Sequence, residues 1–245
     1  MSASTLFLAW QDKRQRGWFP VGRLDTEAQP RSYRFRYIGG AKRACETAGF
    51  PLFYEFPKLT GDYRSPELFP LFTNRVIAPG RPDRAGYLEN LGLGEQADPF
   101  EILSVSGGRR ATDVYEVFPK IDKRENGEFT CRFFLHGWRH VPHSARERID
   151  RLQVGETLFV TLELTNPATR FAVQIQTEDY HVIGWSPRYL VTDLVEAMND
   201  SPEYSARVVR VNRQPAPSKQ RVLVEMDGRW KSHTPMKHDD FKPLA

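Results

Sequence analysis

The sequence predicts an α+β protein in two parts: a region mixing strands with short helices, then a small β-barrel carrying one helix. Three observations carry this. Short runs alternating apolar and polar residues recur from residue 130 to residue 226, with the period of half-buried strands. Helical stripes are short, and open on Ser-Pro, Asp-Pro or Gly-Gly and close on glycine. The charged, glycine-containing stretch Lys120–Glu128 has neither pattern and separates the two parts. The chain has 245 residues, enough for two domains that each bury a core. The expected division is a subdomain at 1–121, a linker at 122–129, the barrel at 130–230 and a tail at 231–245.

In the first part, Tyr33-Arg34-Phe35-Arg36-Tyr37-Ile38 alternates aromatic with basic residues, as a strand with one buried face does. Gly39-Gly40 marks a turn, and a short helix follows near Ala41–Ala48, stopped by Gly49. Ser65-Pro66 reads as a helix start, with Ser65 as N-cap and Leu68, Leu71 and Phe72 as its apolar face. Asp83–Leu91 reads as a second helix, ended by Gly92, with Leu88 and Leu91 buried. Asp98 caps a third, which Gly107-Gly108 stops. Val114–Phe118 is a strand closed by Pro119.

The second part is mostly strand. Thr130–Gly137 is one. Leu158, Val160, Leu162 and Leu164 alternate with Phe159, Thr161 and Glu163 in another, expected to be core throughout. Phe171, Val173 and Ile175 mark a third, and His181–Trp185 a fourth. Ser186-Pro187 opens a helix to about Met198, with Leu190, Leu194 and Ala197 as its buried stripe. Ala206–Asn212 and Arg221–Met226 form a hairpin around Arg213–Gln220. Six short strands and one helix in about 100 residues suit a small barrel of the kind that binds oligonucleotides.

Charge and composition narrow the function. The net charge is +4, from 35 basic and 31 acidic residues, so a polyanionic partner is permitted but not required. Its distribution is more informative. Ser205–Val224 holds Arg207, Arg210, Arg213, Lys219 and Arg221 and no acid, and Cys131–Arg151 holds five arginines against Glu147 and Asp150. Both are candidate phosphate-contacting stretches, set against the plainer reading of solvated strand or helix faces. Two cysteines exclude a disulfide scaffold and point to a reducing, cytoplasmic setting. No apolar run approaches membrane-spanning length, and the N-terminus lacks the basic segment of a signal peptide.

Catalytic signatures are missing. Gly107-Gly108-Arg109-Arg110 lacks the Gly-Lys-Ser/Thr ending of a phosphate loop. No Gly-x-Ser-x-Gly elbow or His-Glu-x-x-His pair occurs. Cys131, His136, His140 and His143 are zinc-ligand types, but their spacing fits no compact zinc motif, and Cys131 shares a strand face with Phe133 and Leu135. No catalytic residue, metal or cofactor is expected.

Single-strand recognition needs cations for phosphates and flat side chains for bases. Trp138, Arg139 and His140 stand together at a strand end. Arg170-Phe171 opens another strand. Trp185 stands beside Pro187-Arg188 at a strand-to-helix junction, where helix amides can meet a phosphate. Each group also has a plain reading as core or surface.

Gly137-Trp138-Arg139, Arg151–Leu158, Asn166-Pro167, Phe171-Ala172-Val173 and Ile183–Arg188 with its following helix resemble, in order and spacing, a HIRAN domain spanning about residues 131–230. The resemblance implies a modified oligonucleotide-binding barrel; in relatives fused to remodelling helicases, it captures the 3′ end of single-stranded DNA. It gives Arg139 and His140 the place of the family's Arg-aromatic pair on the terminal nucleotide, and Asn166-Pro167 the shaping turn. Where the family often has an aromatic and then Asp, this chain has Ala168 and Thr169, so recognition of the terminal hydroxyl is in question and Arg170 offers a more general phosphate contact.

Residues 17–118 resemble the N-terminal subdomain of HipA-like kinases, through Trp18–Leu24, Tyr33–Ile38, Phe53–Phe56, Leu68–Val76 and Leu103–Arg110. No kinase core fits after residue 120, so the resemblance implies a detached, non-catalytic piece. In some toxin–antitoxin operons such a piece binds and restrains the kinase. Together the two parts look like a standalone bacterial HIRAN protein with a HipA-like regulatory subdomain. Two functions follow: a module for single-stranded or end DNA, or a regulator docked on a separate HipA-like kinase through an exposed apolar patch at Phe69, Phe72 or Tyr87.

Overall fold

A computed structural model describes residues 4–14, 17–28, 31–167 and 169–245. The chain forms two units, residues 1–88, 94–120 and 236–245 in one, and 89–93 with 121–235 in the other.

The first unit is built on an antiparallel five-stranded sheet. Its strands are β1 (Thr5–Gln11), β2 (Trp18–Ala28), β3 (Arg31–Tyr37), β4 (Asp62–Ser65) and β5 (Tyr115–Pro119), in the order β4-β3-β2-β1-β5. Leu6, Leu8, Trp10, Phe35 and Tyr37 form one core with residues from α1 (Gly39–Ala48), α2 (Pro70–Thr73) and α4 (Pro99–Ser106). Phe35 stacks on Phe56 with centroids 4.0 Å apart. On the other face of β1, Phe7 packs against Phe118 and Phe241. Residues 236–245, within the expected tail, belong to this unit, and Leu244 N donates to Tyr37 O at 3.0 Å.

Helix ends follow their capping chemistry. Gly49 takes the left-handed conformation that closes α1. The Asp98 carboxylate accepts from Phe100 N and Glu101 N and so satisfies two orphan amides at the start of α4. The expected helix start at Ser65 is a correction: Ser65 pairs with Tyr33 as the last residue of β4, its hydroxyl accepts from Glu67 N in a tight turn, and the helix begins at Pro70. Phe72 then points into the core at 0% exposure, and Phe69 packs edge-on against Phe56. Of Phe69, Phe72 and Tyr87, any of which was expected in an exposed apolar patch, Phe72 is core and the other two are half-buried. The helix α3 (Arg84–Asn90) buries Leu88.

The second unit is an antiparallel six-stranded sheet of β6 (Glu128–Phe134), β7 (Thr157–Asn166), β8 (Arg170–Thr177), β9 (Val182–Trp185), β10 (Glu203–Val211) and β11 (Val222–Arg229), in the order β6-β11-β10-β7-β8-β9. Its two edge strands meet again: His136, just past β6, bridges Trp185 of β9 through two 2.9 Å backbone hydrogen bonds, so the sheet closes on itself. It carries two helices rather than the expected one. The predicted helix is α6 (Arg188–Glu196); the additional one, α5 (His143–Asp150), buries only Ala145 and Ile149 and is otherwise charged. β6 starts at Glu128, inside the expected linker, because Glu128 pairs with Arg229. Leu158 is buried, but Leu164, expected in the core, is 59% exposed where β7 runs beyond the packed part of the sheet. Cys131 is buried on β6, and burial pushes its thiol up, far from thiolate chemistry at neutral pH. Among the described residues, no helix is long and apolar enough to cross a membrane.

The segment after β11 is fixed by a carboxylate. Asp200 accepts from the backbone amides of Ser232 and His233, both at 2.7 Å, and from the Ser232 hydroxyl. These bonds hold its carboxyl down at about 2, led by the Ser232 hydroxyl. An unfolded aspartate titrates near 3.9, so this stabilisation is complete above that pH and is lost as pH falls towards 2. In urea titrations, the stability advantage of wild type over Asp200→Asn is expected to be constant above about pH 5 and to shrink between about pH 4 and pH 2. An advantage that persists undiminished at pH 2 contradicts this.

Candidate nucleic-acid interface

The closing bridge between His136 and Trp185 organises one end of the second unit. Directly after it, Gly137 adopts φ 67° close against the Trp185 indole; a Cβ there would sit 2.6 Å from Trp185 Cε3. The chain then makes a single 3₁₀ turn over Trp138–His140. Trp138 is tethered, its indole N–H donating to Ser218 O at 2.7 Å. Arg139 and His140 project from the same turn and are exposed, with an Arg139 Nη1 contact to Ser218 Oγ at 3.5 Å. Ser218 opens the 3₁₀ turn Ser218–Gln220 in the β10–β11 loop, which also carries the exposed Lys219.

On the other side of the bridge stands Glu163. Its Oε2 accepts from Trp185 Nε1 at 2.7 Å and from Asn166 Nδ2 at 3.0 Å. Desolvation pushes this carboxyl up, but the hydrogen bonds from Asn166, Trp185 and Gln174 outweigh it, so Glu163 titrates below the usual range and is ionised at neutral pH. Asn166 turns the chain from β7 to β8: its Oδ1 accepts from Thr169 N at 3.2 Å, and the Thr169 hydroxyl lies 3.0 Å from Asn166 Oδ1 and 2.8 Å from Phe171 O. Ala168 lies outside the described residues. Arg170, at φ 66°, is exposed, with its guanidinium 5.1 Å from the Phe171 ring centroid. A left-handed arginine is uncommon, and here it places a cation over an aromatic face.

Asn166, Glu163, Trp185, Gly137, Trp138 and Ser218 thus form one unbroken series of contacts. Around it the structure gathers Arg139, His140, Arg170, Phe171 and Lys219, with Arg188 at the first turn of α6, three residues beyond Trp185. Arg207, Arg210 and Arg221 of the basic stretch are instead held by carboxylates. Arg207 pairs with Glu225, which also accepts from Arg132 at 2.5 Å; Arg210 pairs with Glu89 at 2.5 Å; Arg221 pairs with Asp150 and donates to Asn212 O. A guanidinium already held by a carboxylate adds little net positive field. Sequence reasoning missed Glu163 and Ser218. The available sign for Glu163 was a lone acid in an apolar strand, three residues before Asn166.

The family model of the HIRAN domain matches residues 128–230. Two solved structures align with part of the chain. A protein from Lactobacillus plantarum is 18% identical, with 42% of this chain and 99% of that one covered and a TM-score of 0.34. The HIRAN domain of human HLTF is 14% identical, with 44% and 84% covered and a TM-score of 0.33. No curated protein matches the chain. From the family match, the second unit carries a HIRAN domain at residues 128–230.

Proposed function

We propose that this protein binds DNA through its HIRAN domain, taking single strands or strand ends at the Trp138–His140 and Asn166–Phe171 surface. The observation that supports this most is the gathering of exposed Arg139, His140 and Arg170 around partly buried Trp138, Phe171 and Trp185, on a scaffold fixed by the His136–Trp185 bridge. Cations meet phosphates and the flat rings stack with bases, without selecting among the bases. Arg170 supplies a general phosphate contact. Thr169, where the resemblance leads one to expect Asp, has its hydroxyl turned to Asn166 and Phe171 O, so a free 3′ hydroxyl is not the main determinant.

The alternative, a regulator docked on a HipA-like kinase, draws no support from the first unit, since Phe72 of the expected docking patch is core. No enzymatic step, metal or cofactor is proposed.

Fluorescence anisotropy with a labelled single strand, its 3′ end free or blocked, tests the reading. Arg139→Ala and Arg170→Ala are each expected to weaken binding about tenfold, as loss of a charge-assisted contact does. The blocked end is expected to bind nearly as well as the free one. Wild-type protein that fails to bind at low salt would refute the assignment.

A further inference from the structure

The Gly107-Gly108-Arg109-Arg110 turn is not a nucleotide loop, yet the fold gives it company. Gly107 closes α4, and Val117 N of β5 donates to Gly107 O at 2.8 Å, which sets the arginines at the start of β5. The β1–β2 turn arrives at the same end of the sheet: Gln11 N donates to Val114 O and Asp12 N to Gly17 O, both at 2.9 Å. That turn carries Lys13 and Arg14. Trp18, the first residue of β2, is half-buried, and the Arg109 guanidinium lies 5.7 Å from its ring centroid.

The nearby acids are already engaged. Glu116 holds Arg109, Asp113 holds the buried Arg75 at 2.6 Å, and Asp12, 6% exposed, accepts from Arg14 N at 3.1 Å. Lys13, Arg14 and Arg110 are exposed, and among the described residues no carboxylate pairs with their side chains. Three cations with no paired carboxylate thus lie on the two segments that meet at this end of the sheet, where the Arg109 guanidinium faces the Trp18 ring. Natural surfaces intersperse charges of both signs unless a single-sign field serves association.

We propose that this corner of the first unit is a second nucleic-acid contact, in which Lys13, Arg14 and Arg110 take phosphodiester oxygens and the Arg109–Trp18 pair offers a stacking face. The site is separate from the HIRAN surface and does not depend on its assignment. Nucleic acid is favoured over an acidic protein or an anionic lipid surface by the ring among the cations, since a base has a π-face to lay on it.

The test uses the full chain and a labelled single-stranded oligonucleotide of about 30 nucleotides, titrated over a salt series. Four proteins are compared: wild type, a Lys13→Gln/Arg14→Gln/Arg110→Gln triple variant, an Arg139→Ala/Arg170→Ala double variant, and the two sets combined. Each phosphate contact on a single strand contributes about 0.7 to the slope of log K against log salt. The triple variant is expected to lower that slope by about 2, with about tenfold weaker binding at low salt and an unchanged thermal midpoint. The combined variant is expected to lose more than either set alone. A triple variant that keeps the wild-type slope and affinity overturns the proposal, even while the double variant upholds the HIRAN assignment. A loss confined to the triple variant upholds this contact and removes the HIRAN one. Vesicles of anionic phospholipid that bind wild type when the oligonucleotide does not would also overturn it.

Discussion

Trp230→Ala is expected to destabilise the second unit by about 3–5 kcal/mol, the range for removing a large aromatic from a core. Trp230 is 0% exposed and stacks on Phe129 with centroids 3.8 Å apart. Its indole N–H donates to the Tyr204 hydroxyl at 2.9 Å, and the His233 ring meets it edge-on. Its backbone N donates to Gly127 O, which ties the end of β11 to the turn leading into β6. Truncation leaves a cavity between the first and last strands of the domain and strips Tyr204 of its partner. Calorimetry on the full chain should show one transition lowered by of order 15 °C, given the usual entropy of a domain of this size. Tyr204→Phe separates the contributions: it keeps the packing, loses one hydrogen bond and should cost only about 1 kcal/mol. A Trp230→Ala protein that melts with wild type would show that the residue is not part of the core.

The elements legible in the sequence were those whose local signal agreed with their tertiary setting. Asp98-Pro99 and Gly107 bracketed α4, and Gly49 ended α1, because capping is a matter of a few adjacent residues. β7 and β8 alternate, and the hairpin of β10 and β11 has a proline-rich loop between alternating runs. β1 was not legible as a strand: Leu6, Phe7, Leu8, Ala9 and Trp10 are all buried, so both faces are covered and the period of two disappears. α5 was missed for the opposite reason. Its buried stripe is only Ala145 and Ile149, one i, i+4 pair within charged residues. Ser65 misled because Ser-Pro-Glu is a sound helix start in isolation, and pairing with Tyr33 in β4 outweighs it.

The site divides along the same line. Trp138, Arg139, His140, Arg170, Phe171 and Trp185 were named from aromatic and cationic residues at strand ends, and the fold gathers those strand ends. In the basic stretch from Ser205 to Val224 three arginines meet acids that lie outside the stretch: Glu225 from β11, Asp150 from α5 and Glu89 from α3. Counting charge along a chain cannot register a carboxylate brought in from 121 residues away. Glu163 was hidden because its strand was read only as core, while its role arises from β7, β8 and β9 lying side by side.

Gly137→Ala is the substitution expected to link stability to binding. The backbone at φ 67° disfavours any residue with a Cβ, at roughly 1 kcal/mol or more. The added methyl would also stand 2.6 Å and 2.9 Å from two atoms of the Trp185 six-membered ring. That ring cannot simply turn aside, because its N–H is committed to Glu163 at 2.7 Å and its backbone to the closing bridge with His136. Relief must come from tilting the indole and losing the Glu163 bond, or from opening the bridge. Either displaces the 3₁₀ turn that carries Trp138, Arg139 and His140. The combined cost is expected at about 2–4 kcal/mol, in the range of strain and lost buried hydrogen bonds. Binding of a labelled single strand should fall further than in Arg139→Ala, since several contacts lose their geometry together. Trp185→Phe in the Gly137→Ala background offers a discriminating measurement. A ring without the indole N–H and second ring is free to shift, so part of the lost stability should return, while strand binding should stay weak because Trp185 is itself one of the rings of the binding surface. Recovery of both would place the defect in the steric clash alone, and recovery of neither would place it in the backbone conformation of Gly137.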